Sequence, residues 1–413
     1  MINYEHFVLE NGLKVYVHED HSAPIAVLNL LYDVGAKDEE SHKTGFAHLF
    51  EHLMFGGSKN IPSFDEPLQR VGGENNAFTS NDITNYYISV PSNNLETAFW
   101  LESDRMLSLS FDPKVLEVQR SVVIEEFKQR YLNQPYGDAW LKLRPLAYQV
   151  HPYQWPTIGK EIAHIENATM DDVQSFFYKF YIPNNAYLVI AGDVTISQVK
   201  RLCDKWFTPI PSGKPYYRDL PQEPTQISSR ITEVSSSVPL NALYKVFHSP
   251  AKTDKNYFAS DLFSDILGRG KSSFLYQKLV KERSIFSSIS AHLSGTYDSG
   301  LLIIDGKLNK GISCEEGDKI LNDILGEFSQ NTLLDSDLEK VKHQAESSHV
   351  FGNIELLNRA MNLAFAAGLG DAAMVNKEID LINNVSMENI KNIKQQILDP
   401  NNSSTLLYKA KSI

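Results

Sequence analysis

Residues 45–57 read Gly-Phe-Ala-His-Leu-Phe-Glu-His-Leu-Met-Phe-Gly-Gly, so His48, Glu51 and His52 fall three and four positions apart. On a helix such positions share one face. Two neutral imidazoles one turn apart can converge on one cation, with the carboxylate between them held off the metal but close to the water it binds. A Lewis-acidic ion lowers that water's pKa to about 7, and a neighbouring carboxylate can take the remaining proton as the water attacks a carbonyl. The spacing therefore predicts His48 and His52 as ligands of one zinc ion per chain, with Glu51 as the general base. Phe46, Leu49, Phe50, Leu53 and Met54 would seat this helix in a core, and the two following glycines would end it.

A catalytic zinc usually takes three protein ligands and leaves one position open. The third is expected from the helical stretch 115–130, where Gln119, Val122, Val123 and Glu126 form one stripe. Glu126 is the acid on that stripe; Glu125 points about 100° away around the helix and should be solvated. His18, His21, His42, His151, His164 and His343 show no such pairing with a second histidine and an acid. Cys203 and Cys314 are too few for a disulfide framework and lack the paired spacing of a thiolate zinc site.

These residues need a scaffold. Asn11-Gly12 lies between two β-prone runs and predicts an N-terminal hairpin, followed by an apolar strand over 25–32. Helical periodicity covers 45–55, 95–107, 113–131 and 170–180, and a further strand is expected over 186–191. Around residues 209–229 the composition turns to Pro, Gly and Ser, which reads as a linker. Beyond it a strand, a polar loop and a helix repeat the order of the first half, without a second His-x-x-Glu-His. The expected organisation is an N-terminal zinc-binding domain over 1–212, a linker over 213–228 and a homologous domain over 229–413, in the α+β class.

The chain has 413 residues, and its 39 Lys+Arg against 51 Asp+Glu give a net charge of −12. That length suits two domains. The charge opposes attraction to phosphate backbones or anionic lipid, so neither nucleic acid nor membrane is expected as a partner. The N-terminus lacks the basic flank and apolar run of a signal peptide, and no stretch of about 18 uncharged apolar residues occurs. A cytoplasmic protein is expected, with the periplasm as the alternative should this not be the native N-terminus.

Residues 45–57 resemble the inverzincin peptidases, the family of pitrilysin, insulin-degrading enzyme and the mitochondrial processing peptidase. So do Gly72-Gly73-Glu74-Asn75-Asn76-Ala77-Phe78-Thr79, Asp82-Ile83-Thr84-Asn85-Tyr86, Gln119-Arg120-Ser121-Val122-Val123-Ile124-Glu125-Glu126, His151-Pro152-Tyr153 and Pro183-Asn184-Asn185-Ala186. The resemblance implies two homologous α+β domains, each a mixed, largely antiparallel sheet covered by helices. It implies zinc ligands His48, His52 and Glu126, the base Glu51, and backbone of Asn76, Ala77 and Phe78 offered to an extended peptide substrate. Where the family often has a second glutamate, this chain has Gln119, which can still orient a ligand by hydrogen bonding. Where the family often carries an arginine and a tyrosine that grip the substrate, this chain has Val280 and Ser287. It is also about half the length of the single-chain members. The expected protein is therefore a zinc endopeptidase acting on short or unfolded peptides in a chamber shared with a metal-free sister subunit that supplies the arginine and tyrosine. A homodimer is the rival assembly, and a non-catalytic structural or peptide-binding subunit the rival function.

Overall fold

Gly12 takes the left-handed backbone (φ +87) that the turn after Leu9 requires, and a Cβ there would sit 2.7 Å from Cβ of Asn184. The runs on either side pair antiparallel as β1 (Glu5–Val8) and β2 (Lys14–Glu19). The computed structural model describes residues 1–331 and 333–411. From β2 the N-terminal half continues through β3 (Ile25–Tyr32), α1 (Phe46–Leu53), β4 (Glu74–Thr79), β5 (Thr84–Pro91) and α2 (Leu95–Leu107). Then come α3 (Pro113–Phe127), α4 (Ala139–Ala147), α5 (Met170–Phe180) and β6 (Ala186–Gly192). The C-terminal half contributes β7 (Arg230–Ser236), β8 (Ala242–Ser249), α6 (Tyr257–Gly268), β9 (Phe286–Leu293), β10 (Gly300–Leu308), α7 (Leu356–Gly368) and β11 (Ser403–Ala410).

Packing divides the chain into two compact units, and each takes in chain from both halves. Unit 1 is Met1–Phe127, Trp155–Leu220 and Val350–Lys377; unit 2 is Lys128–Gln154, Pro221–His349 and Glu378–Ile413. One unit boundary, between Leu220 and Pro221, falls inside the Pro-rich segment.

Unit 1 is built on a six-stranded sheet in the order β1-β2-β6-β3-β5-β4, antiparallel except for the parallel pair β2 and β6. β3 is buried along nearly its whole length, which explains its unbroken apolar run: α2 and α7 both pack on it. β4 is the opposite case. It lies at the sheet edge, reads Glu-Asn-Asn-Ala-Phe-Thr and is wholly exposed or half-buried, as an unpaired edge must be if it is not to aggregate. α7 packs on β3 and β6. Its Arg359 donates to Asp20 (2.5 Å) and to Nε2 of His18 (3.2 Å). Because arginine can only donate, Nδ1 of His18 carries the ring proton and gives it to the carbonyl of Asn3 (2.6 Å).

Unit 2 repeats the plan with five strands in the order β7-β11-β8-β10-β9, where β7 and β11 are the parallel pair. α4 lies on β11, β8 and β7, and packs Ala139, Leu143 and Ala147 against Ala242, Val246 and Leu406. Tyr408 donates to Asp138, which precedes α4, at 2.6 Å. On α6, the face of the second core holds Leu262, Phe263, Ile266 and Leu267.

The segment read as a linker has no regular secondary structure over most of its length, yet it is fastened at several points. Within unit 1, Arg218 forks onto Asp38 (2.7 Å) and Asp33 (2.9 Å) and donates to the Asp33 carbonyl (2.6 Å). Within unit 2, Glu223 accepts the N–H groups of Gln149, Val150 and His151 at 2.8 to 3.0 Å. Asp38 is wholly buried beneath Arg218. Removing the guanidinium leaves that carboxylate buried with the Gly35 N–H (3.0 Å) but without its charge partner, so Arg218→Ala should destabilise the protein by about 2–3 kcal/mol, less than for a fully buried pair because Arg218 is partly exposed. Urea unfolding checks this; a change below about 0.5 kcal/mol would mean the fork is only a surface contact.

Candidate metal centre and active site

α1 spans eight residues and buries Phe46, Ala47, Leu49, Phe50 and Leu53. Its N-cap is Gly45 (φ +88), where a Cβ would meet the Ile158 carbonyl oxygen at 2.7 Å, so the helix cannot begin with the usual side-chain cap. A distant acid replaces it. Glu39 accepts the N–H groups of Gly45 (2.9 Å) and Ala47 (2.8 Å), together with the indole N–H of Trp155 (3.1 Å). Two of the orphan donors at the helix start are thereby satisfied by the oxygens of one buried carboxyl group. At the other end Gly57 turns the chain away with φ +99.

The face of α1 that carries His48, Glu51 and His52 looks toward α3 and β4. α3 is seated by Leu116, Val123 and Phe127. This stripe presents Glu126 toward α1 and leaves Glu125 exposed, as the rotation per residue demands. Val122, placed on the Glu126 stripe by spacing, is instead 43% exposed. It lies about 100° from Val123, which takes the buried position.

Nε2 of His48 and Nε2 of His52 each lie 3.5 Å from Oε2 of Glu126, and all three side chains are largely shielded from solvent. The two imidazoles meet edge to face, centroids 4.9 Å apart. The three ligand atoms lie within 4.8 Å of one another. A tetrahedral zinc with bonds of 2.0–2.1 Å holds its ligand atoms about 3.3 Å apart, so this donor set fits such an ion with little adjustment. Among the described residues it is the one group of three or more His, Cys, Asp or Glu side chains so arranged.

Glu51 stands beside this trio. Its Oε2 accepts the hydroxyl proton of Thr79, the last residue of β4, at 2.6 Å. Burial raises the Glu51 pKa, the Thr79 hydrogen bond and His52 oppose the rise, and Glu126 adds to it. A partly shielded carboxylate of increased basicity next to a metal-binding trio is suited to receiving a proton.

Asn76, Ala77 and Phe78 pair with Tyr87, Tyr86 and Asn85 of β5, and among the described residues no strand pairs with the other side of β4. Ala77 donates its N–H to Oδ1 of Asn76 (2.8 Å), so an added strand would have to displace that side chain. Phe78 points to the opposite sheet face, its ring 6.1 Å from Phe365 of α7. Gln119 is half-buried, two turns upstream of Glu126 on α3. In unit 2, Val280 packs against the apolar core and Ser287 donates to the Lys307 carbonyl (3.0 Å). Arg283 leans toward Glu327 at 3.9 Å.

Family models match along most of the chain: "Insulinase (Peptidase family M16)" over residues 14–157, and "Peptidase M16 inactive domain" over 167–345. A relative from Helicobacter pylori named zinc protease PqqE is 31% identical over 362 residues, covering 85% of this chain and 80% of the relative. The chain belongs to peptidase family M16. The crystal structure of a protease from Helicobacter pylori superposes with a TM-score of 0.92 at 27% identity, covering 99% of this chain and 100% of that one. A probable mitochondrial-processing peptidase β subunit of Arabidopsis thaliana is 26% identical over 306 residues, which is 71% of this chain and 57% of the relative. The M16 inactive-domain match begins C-terminal to His48, Glu51, His52 and Glu126, all of which lie in the first match.

Of the two residues that support this group of side chains, one carried no mark in the primary structure. Glu39 lies nine positions before His48 in a polar loop, a separation no helical or strand rule connects. Thr79 could have been found by alternation, since the pleat puts Asn75, Ala77 and Thr79 on one face of β4.

Burial pushes the Glu39 carboxyl up from its ordinary 4.5 to about 8, against its three donors. In that window the folded chain holds a proton that the unfolded chain has lost, so stability from this group is full below about 4.5 and is lost as pH rises through 8. Burial raises Asp261 only to about 6, so the slope between pH 6 and 8 should carry the mark of Glu39. Melting of metal-stripped protein should show a decline over that range that Glu39→Gln removes; an equal slope in the variant would mean the carboxyl stays ionised.

Proposed function

We propose that this chain is a zinc-dependent endopeptidase. The observation that supports the reading most is the meeting of Nε2 of His48, Nε2 of His52 and Oε2 of Glu126 beside the Thr79-held carboxylate of Glu51. Zinc is the metal of choice for two imidazoles and one carboxylate in a tetrahedral arrangement, and when bound it supplies Lewis acidity to the scissile carbonyl and the attacking water.

The remaining work falls to the chain's own groups. An extended peptide adds to the open edge of β4, where Asn76, Ala77 and Phe78 offer main-chain partners once the Asn76 side chain has swung away from the Ala77 N–H. Main-chain pairing reads shape more than side chains, which admits many sequences but only unfolded or short ones. Glu51 accepts a proton from the attacking water and returns it to the leaving amine. Gln119, half-buried two turns upstream of Glu126, would orient a ligand by hydrogen bonding.

We further propose that the working enzyme is a heterodimer. With Val280 packed into apolar surroundings and Ser287 bonded to Lys307, neither position can grip a substrate as an arginine and a tyrosine would. A metal-free sister subunit would supply both, and the chamber would form between the two chains.

Purified chain should bind one zinc and, alone or with its partner, cleave a pool of unstructured peptides. Glu51→Gln should keep the zinc and lower turnover by about 10² to 10⁴. Glu126→Gln should weaken zinc binding by more than about 100-fold, beyond the loss typical of a residue that only orients a ligand. Zinc content by atomic absorption and peptide cleavage by mass spectrometry check all three. Cleavage surviving in Glu51→Gln would overturn the assignment of the base, and wild-type protein without zinc would overturn the whole reading.

A further inference from the structure

Thr79 ends the edge strand β4, and its hydroxyl lies 2.6 Å from Oε2 of Glu51. That placement is fixed from behind. In the ladder Thr79 stands opposite Thr84, a wholly buried residue whose hydroxyl donates to the Val34 carbonyl at 2.9 Å. The turn that follows is closed by Ser80, whose N–H bonds to the Ile83 carbonyl (2.8 Å) and whose Oγ accepts the N–H groups of Asp82 and Ile83 (3.0 Å each). It is tied in turn to the loop before α1: Ala36 and Lys37 donate their N–H groups to the carbonyls of Ser80 (3.1 Å) and Asn81 (2.9 Å). Lys37 and Asp82 form a buried ion pair at 2.8 Å. Gly35 allows this approach, because a Cβ there would lie 2.5 Å from Asn81 backbone atoms.

A glutamate side chain has three torsions to fix, whereas the Thr79 hydroxyl stands on a strand end braced by these contacts. We propose that Thr79 is a positioning residue for the proposed peptidase reaction: its hydroxyl fixes the Glu51 carboxylate by holding Oε2, which leaves Oε1 to receive the proton of the attacking water. The inference rests on the peptidase reading and goes beyond it in naming the residue that orients the base and the oxygen that acts. It also couples binding to chemistry. The strand on which an extended peptide would add is the strand that holds the base, so one rigid element sets both the scissile carbonyl and the proton acceptor. Misplacing a reacting group by about 1 Å costs on the order of 10²-fold in rate, so the hold need not be strong to matter.

Thr79→Val keeps the shape and removes the donor; Thr79→Ser keeps the donor. With zinc content and melting temperature followed alongside, Thr79→Val should lower kcat about 10- to 100-fold with KM within about twofold, and Thr79→Ser should recover kcat to within about threefold of wild type. Added to Glu51→Gln, Thr79→Val should cost nothing further, since both act through one group. A second readout needs no turnover: in the zinc-loaded protein the Thr79 methyl NMR resonance should move on Glu51→Ala. Full kcat in Thr79→Val, a loss confined to KM, a loss that serine does not recover, or an unmoved methyl resonance would overturn the proposal. A wild-type chain that binds no zinc, or that cleaves no peptide even in the presence of its partner subunit, overturns the peptidase reading instead, and the methyl resonance alone then decides whether the two side chains are coupled.

Discussion

The carboxyl group of Glu39 at the start of α1 is the contact on which the rest of the site depends. Eight residues make little more than two turns, well short of the length at which a helix is stable in water, so α1 exists only because its surroundings hold it. Its apolar positions contribute by burial, but burial alone would let the helix slide or rotate by a few degrees. Glu39 fixes the axial position by accepting two N–H groups of the first turn, and Trp155 fixes Glu39. His48, Glu51 and His52 then sit at defined heights and angles, and α3 needs only to bring Glu126 across to the two imidazoles.

What could be read from the primary structure follows the range of the interactions involved. His48, Glu51 and His52 are linked by helical periodicity over one turn, and the choice of Glu126 over Glu125 follows from the rotation of one residue; both rules are local. The strands over 25–32 and 186–191, the hairpin at Gly12 and the repetition of the plan in the second half were legible for the same reason. The composition of residues 213–228 suggested a linker, but composition does not reveal that Arg218 reaches back some 180 positions to Asp38. The placing of α7 on β3 and β6, and of α4 on β8 and β11, also lay beyond periodicity, because an amphipathic pattern says which face a helix buries and not against which sheet. Val122 shows the limit within a single helix: when adjacent residues are both valines, only the packing partner decides which one turns inward.

The repeated plan separates what the frame supplies from what the side chains supply. The orders β2-β6-β3-β5-β4 and β7-β11-β8-β10-β9 correspond strand for strand, down to the one parallel pair in each. α6 follows β8 as α1 follows β3, and it carries Asp261, Ser264 and Asp265 at the spacing of His48, Glu51 and His52. There, two carboxylates one turn apart repel where two imidazoles would share a cation. Burial and the neighbouring Asp265 push Asp261 up to about 6, and Asp265 itself is occupied with Arg269 at 3.0 Å. A short helix over a mixed sheet is therefore not sufficient for metal chemistry. The difference between the two units lies in imidazole nitrogens, a carboxylate from a second helix and a strand-end hydroxyl on Glu51, all of which unit 1 brings to one place.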